Sequence, residues 1–224
     1  MGPHLGAMFI RMRLSLNPWP RHLSVMQTSD LALILAFDGS ASVTFESFGL
    51  IATGTARALR DPQVRAGLLA GPGRAVSLTL LLWSASNGQE VLVDWTRIDS
   101  QAGLDAFAEQ VENVPRIVPA GTTAIGSALV VCEQLLKLAP ADRQIIDIAG
   151  DGRSNEGPEP GPIRDRLADA GVTINGLCIL HEEPDLVESY TRDVIGGFGA
   201  FALQCQDYAG FEQAMRQKLR QEVS

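Results

Sequence analysis

Three short segments carry most of the candidate chemistry in this chain. In Asp38-Gly39-Ser40-Ala41-Ser42 a carboxylate is followed by hydroxyls two and four positions on; Thr122-Thr123 offers two adjacent hydroxyls, and Gly150-Asp151-Gly152 a second carboxylate. Alternation along an extended segment puts residues i and i+2 on one side, so Ser40 and Ser42 can face a common point. Oxygen donors with no His or Cys beside them suit a hard cation, Mg²⁺ first and Mn²⁺ or Ca²⁺ after it, rather than zinc. A set with few charged ligands leaves such an ion electron-poor, with a position open to a carboxylate from outside. Each segment alone also has an ordinary reading, because Asp, Ser and Thr are common in turns and at helix N-caps. Their joint meaning depends on whether the fold brings them to one place.

The elements that would position them are legible. Residues 31–37 (LALILAF) form an apolar run too short for a fully buried helix and suited to a strand covered on both faces. It ends at Asp38, and in open α/β sheets ligands bind beyond the carboxyl ends of strands. Helical spacing follows over 45–59, closed by Asp61-Pro62. Strands over 76–83 and 91–95, joined through Asn87-Gly88, make an antiparallel hairpin. A helix over 101–111 leads to the loop 119–123, which opens a long helix over 124–138. The strand 144–149 ends at Gly150-Asp151, followed by a polar Pro/Gly-rich loop over 153–161. Then come a helix over 163–170, a strand over 172–180, a helix over 185–193, a short strand near 201–203 and a last helix over 208–223. Strands alternating with helices predict an α/β, Rossmann-like three-layer α/β/α sandwich, its central sheet mostly parallel with one antiparallel edge strand. Asp38, Ser40, Ser42, Thr122/Thr123 and Asp151 then share one edge of that sheet.

Composition narrows the class. With 46% apolar and 20% charged residues the chain reads as a globular protein. No apolar run approaches the roughly 18 residues that a bilayer span needs. A net charge of −8 and only two lysines, Lys137 and Lys218, argue against a nucleic-acid surface. Cys132, Cys178 and Cys205 have no metal-site spacing and read as buried thiols, with a Cys178–Cys205 bridge as the alternative. Residues 1–29 read as a poorly ordered leader before a domain over 30–224: Asp30 is the first acidic residue, Arg11, Arg13 and Arg21 are scattered, and Met26 is an alternative start. The arginines, Pro18 and Pro20 interrupt every stretch that could serve as the apolar core of a signal peptide. The cytoplasm is therefore the default location, with the periplasm or export if the true start differs.

In this order and on these elements, DGSAS, GTTAIGSAL and GDGRSNEG resemble the metal-ion-dependent adhesion site (MIDAS) of von Willebrand factor type A (vWA) domains. The resemblance covers residues 31–220. It implies metal ligation by Asp38, Ser40, Ser42, Thr123 and Asp151, with Thr122 as the alternative to Thr123. It also implies a protein partner that offers Asp or Glu to the ion. VDWTRID, INGL and VIGGFGAF are similar to a bacterial subfamily of these domains with no assigned function, whose members commonly carry an export signal.

The resulting expectation is a non-catalytic, cation-dependent protein-binding module, with the loop 153–161 as its rim. The rivals are a metal-independent scaffold and a haloacid-dehalogenase-like phosphatase. The latter needs an acid/base Asp two residues after its nucleophile, where this chain has Ser40, and a lysine near the phosphate. Asp147, inside an apolar strand, reads as structural, His181 with Glu182 and Glu183 as a solvated charge cluster, and Trp83 and Trp95 as core residues.

Overall fold

The computed structural model describes residues 27–181 and 183–224. The expected leader lies outside the described residues up to residue 26, while its last position, Ser29, already opens the first strand. In chain order the elements are β1 (Ser29–Asp38), α1 (Phe45–Leu59), α2 (Pro62–Leu68), β2 (Val76–Trp83), β3 (Gln89–Ile98), α3 (Gln101–Glu112), α4 (Ile125–Leu136), β4 (Ala141–Gly150), α5 (Pro160–Asp169), β5 (Val172–Ile179), α6 (Leu186–Asp193), β6 (Ala202–Cys205) and α7 (Phe211–Glu222).

The apolar run around LALILAF makes β1 the centre of the sheet, because only a strand covered on both faces can bury side chains of both parities. Leu31, Leu33, Leu35 and Phe37 pack with α1, α3 and α7, while Ala32, Ile34 and Ala36 pack with α4, α5 and α6. The strand order is β3-β2-β1-β4-β5-β6, with β2 and β3 antiparallel and every other pair parallel. This is the expected α/β three-layer architecture with one antiparallel edge strand. From β1 the chain reaches β2 on one side, and β4 lies on the other. The carboxyl ends of β1 and β4 therefore flank a topological switch point, where such sheets open a crevice.

The ends of elements follow their local chemistry. Thr44 caps α1, its hydroxyl accepting Ser47 N–H at 3.1 Å. Asp61-Pro62 does not simply close α1. Asp61 caps α2, accepting Gln63 N–H at 3.0 Å and Val64 N–H at 3.2 Å, with Pro62 in the first turn. The Arg220 guanidinium beside it draws the Asp61 carboxyl down to about 2. Likewise Pro160 and Gly161 are the first turn of α5 rather than the end of a loop. The last helix is split by its glycine: a 3₁₀ turn over Tyr208–Gly210 precedes α7. Among the described residues no helix is long and apolar enough to cross a membrane.

The three cysteines are buried and free. Trp83 is fully buried, and the Trp95 indole donates to the Leu135 carbonyl at 3.0 Å. Asp147 is the structural residue expected, and its partner is Lys218 of α7 at 2.5 Å.

Candidate functional site

Asp38 is the last residue of β1, and Gly39 continues the ladder by one bond, its N–H donating to Trp83 O at 2.7 Å. The chain then leaves the sheet in a tight loop. Ser40 N–H turns back to Asp38 Oδ1 at 2.7 Å, and Ala41 N–H donates to Gly121 O at 2.8 Å. These bonds fasten the DGSAS loop to the loop carrying Thr122 and Thr123. On its outer side Arg116 donates to Gly39 O at 2.8 Å and Ser40 O at 3.2 Å.

Within this frame the hydroxyls and carboxylates form one chain of contacts. Ser42 Oγ donates to Asp151 Oδ1 at 2.7 Å, and Ser40 and Ser42 hydroxyls are 3.1 Å apart. A hydroxyl has one proton, so Ser42 spends its own on Asp151 and accepts from Ser40. The lone pairs of Ser40 stay uncommitted. Asp151 is buried with both oxygens engaged, since the Tyr208 hydroxyl donates to Oδ2 at 2.6 Å.

Asp38 is the opposite case. It is fully buried, and its Oδ2 has no hydrogen-bond partner. Burial pushes its carboxyl up to about 7; the Ser40 N–H bond and Arg116 act against this, while the charge of Asp151 adds to it. Gly150, at the end of β4, makes room for this arrangement. A Cβ there would stand 3.0 Å from Asp38 Oδ2 and 2.8 Å from the Tyr190 hydroxyl, which is also buried without a partner.

The two threonines are separated by their neighbours. Thr122 is exposed and its hydroxyl donates to Glu156, whose carboxyl it holds below the usual range. Thr123 is buried and clamped by the next loop: its N–H donates to Asn155 Oδ1 at 2.9 Å and its carbonyl accepts Asn155 N–H at 2.9 Å. Its hydroxyl lies 3.7 Å from the Cβ position of Gly152, beside Asp151. Gly126 lets that loop close, because any side chain there would meet the Pro158 carbonyl. The loop does border the site as expected, but it is tied down at Thr122, Thr123 and Ser86.

Asp38, Ser40, Ser42, Thr123 and Asp151 are thus gathered at one sheet edge, and Thr122 faces away toward Glu156. Sequence reasoning missed Arg116, Tyr190 and Tyr208, none of which stands in a recognisable motif. Beside the site, Glu183 is not merely solvated: it accepts Arg153 N–H at 3.2 Å and pairs with its guanidinium at 2.9 Å. Among the described residues no three His, Cys, Asp or Glu side chains gather to hold a metal, so hydroxyls make up much of any donor set here.

The fold is that of the vWA class. The von Willebrand factor type A structure from Catenulispora acidiphila superposes with a TM-score of 0.59 at 17% identity, covering 88% of this chain and 43% of that one. The vWF domain of the type V pili tip protein Mfa5 from Porphyromonas gingivalis gives 0.59 at 12% identity, covering 88% and 97%. Proximal thread matrix protein 1 of the mussel byssus gives 0.63 at 14% identity, covering 86% and 47%. A further form of the mussel protein is described with a zinc-occupied MIDAS motif. This chain spans less than half the length of the mussel and Catenulispora structures. The family described as "Protein of unknown function (DUF1194)" matches residues 28–224, and the chain belongs to that family. A comparison with curated protein sequences gives no match.

Proposed function

We propose that the chain is a non-catalytic, divalent-cation-dependent protein-binding module of adhesion type. Asp38, Ser40, Ser42 and Thr123 would hold the ion, with Asp151 acting through Ser42 or a water. Mg²⁺ fits this oxygen set best, with Mn²⁺ or Ca²⁺ as substitutes. A carboxylate from a partner's Asp or Glu would fill the open position.

The observation that carries this reading is the buried Asp38 Oδ2 without a partner. A buried carboxylate without an ion-pair partner is costly, and a cation beside the uncommitted lone pairs of the Ser40 hydroxyl would supply what is missing. The zinc-occupied site of the mussel protein and the pilus setting of Mfa5 lend support from relatives of the same fold.

The phosphatase rival finds no lysine at this edge. Lys137 caps the far end of α4 and bonds Gln134, and Lys218 is buried against Asp147 and Glu222.

The threonine pair gives the test. Mg²⁺ should raise the thermal midpoint of the wild type by mass action and that of Thr122→Ala equally, whereas Thr123→Ala should lose most of the rise. Equal losses in both variants, or a loss in Thr122→Ala alone, would refute the assignment of Thr123.

A further inference from the structure

Tyrosine occurs twice in the chain, and the two copies reach the site from opposite faces of the sheet. From the side of α1 and α7, Tyr208 donates to Asp151 Oδ2 at 2.6 Å. From the side of α4 and α5, Tyr190 of α6 brings its hydroxyl to Gly150, which Asp38 Oδ2 also faces. Two glycines make the room. A Cβ at Gly176 of β5 would stand 2.9 Å from Tyr190 Cδ1, and one at Gly150 of β4 would stand 2.8 Å from the hydroxyl and 3.0 Å from Asp38 Oδ2. The ring therefore lies over Gly176 and the hydroxyl over Gly150, beside the carboxylate. Both side chains are fully buried, and neither the hydroxyl nor Oδ2 has a hydrogen-bond partner.

The cation reading leaves this hydroxyl unexplained. A carboxylate oxygen has two lone pairs, so Asp38 Oδ2 can hold a cation on one and accept a hydrogen bond on the other. A cation offers nothing to an O–H donor, and a buried donor left unpaired is costly. Burial, with Cys178, Asp38 and Asp151 behind it, raises the Tyr190 pKa well above the usual value, so the group stays a donor. The two atoms do not bond directly in the structure. One water has the lone pair and the proton needed to join them.

We infer, resting on the cation reading above, that Tyr190 is a positioning residue of the site. Its hydroxyl donates to a buried water over Gly150, and that water donates to Asp38 Oδ2. The link holds the carboxylate in the orientation that the ion requires. Outer partners of this kind change metal affinity by about ten- to a hundredfold.

Tyr190→Phe keeps the ring and removes the hydroxyl alone, and Ser189→Ala, its buried neighbour on α6, controls for packing. By calorimetry Tyr190→Phe should bind Mg²⁺ at least about tenfold more weakly than the wild type, and Ser189→Ala as tightly. Infrared spectra of protein carrying tyrosine labelled with ¹³C at the phenol carbon report hydrogen bonding by each hydroxyl. With two tyrosines in the chain, the band that Tyr190→Phe removes is assigned to Tyr190. In metal-free protein that band should shift in Asp38→Asn and stay in place in Ser189→Ala. Unchanged Mg²⁺ affinity in Tyr190→Phe, an equal loss in Ser189→Ala, or a Tyr190 band indifferent to Asp38→Asn would overturn the inference and leave the cation reading standing. No Mg²⁺ binding by the wild type would remove both.

Discussion

Lys218→Ala is expected to lower the free energy of unfolding by about 3–5 kcal/mol, a large part of the stability of an ordinary domain. Lys218 Nζ stands 2.5 Å from Asp147 Oδ1 and 2.6 Å from Glu222 Oε1, and all three side chains are buried between α7 and the sheet. Asn175 completes the group, donating to Glu222 Oε1 at 2.7 Å and accepting Phe201 N–H at 3.1 Å. Burial works against the ammonium charge, but the two carboxylates outweigh it and raise the Lys218 pKa. Burial also pushes Asp147 up to about 7 even with Lys218 beside it. Removing the ammonium leaves two carboxylates in an apolar layer with no cation to share. Urea unfolding at neutral pH measures the loss. A drop below about 1 kcal/mol would mean that water reaches the cluster and that the pair is a surface one in its energetics. Replacing the ion-pair members together by apolar residues of similar volume, as Asp147→Leu/Lys218→Met/Glu222→Leu, should recover most of it, because the penalty arises from unpaired charge rather than lost attraction.

The second large effect has the opposite sign. Asp38→Asn should stabilise the cation-free protein at pH 8 by roughly 2–4 kcal/mol, since each unit of pKa shift corresponds to about 1.4 kcal/mol. Asp38 is pushed from 3.8 to about 7 by burial, so the folded state holds the proton more tightly than the unfolded chain. Such a group supports the fold at low pH, and its contribution is lost as pH rises from about 4 to about 7. Asparagine keeps an acceptor for the Ser40 N–H and carries no charge, so the variant should escape that loss. The gap between variant and wild type should close near pH 4. Asp147 titrates over a similar range, and the difference between the two proteins cancels it. The same substitution should weaken Mg²⁺ binding at least about tenfold. Stability gained where binding is lost is the mark of a residue kept for its ligand. A variant less stable than the wild type at pH 8 would contradict this account of Asp38.

Much of this was legible because it is local. The apolar spacing over 45–59 defines α1 over Phe45–Leu59, and the apolar run of β2 defines Val76–Trp83. The order strand, DGSAS, Thr, strand, Asp was enough to place the candidate site at one sheet edge. The errors share a cause: one signal serves two ends. Asp61-Pro62 reads as a stop and Pro160-Gly161 as loop, yet proline also fits the first turn of a helix, and both prolines open one here, after a capping Asp61 in α2 and after Glu159, which makes no side-chain cap bond, in α5. Separately, β3 runs beyond the expected 91–95 to Gln89–Ile98, because an edge strand, half covered, shows weak alternation at its ends. Lys218 lies in a helix whose Phe211, Met215 and Leu219 mark the buried face. Its burial depends on Asp147 and Asn175 being brought beneath α7 by the order of β4 and β5. That order, like the arrival of Tyr208 at Asp151 and Tyr190 near Asp38, is a property of long-range packing that no window of sequence contains.

The most direct test of the central claim is calorimetric titration of Mg²⁺, and in parallel Mn²⁺, into metal-stripped wild-type protein with Asp38→Asn beside it. One site per chain is expected in the wild type, with little or no heat from the variant, while circular dichroism shows both folded. A folded wild type that takes up no ion, or a variant that binds as tightly as the wild type, would contradict the assignment of Asp38, Ser40, Ser42 and Thr123 as a cation site.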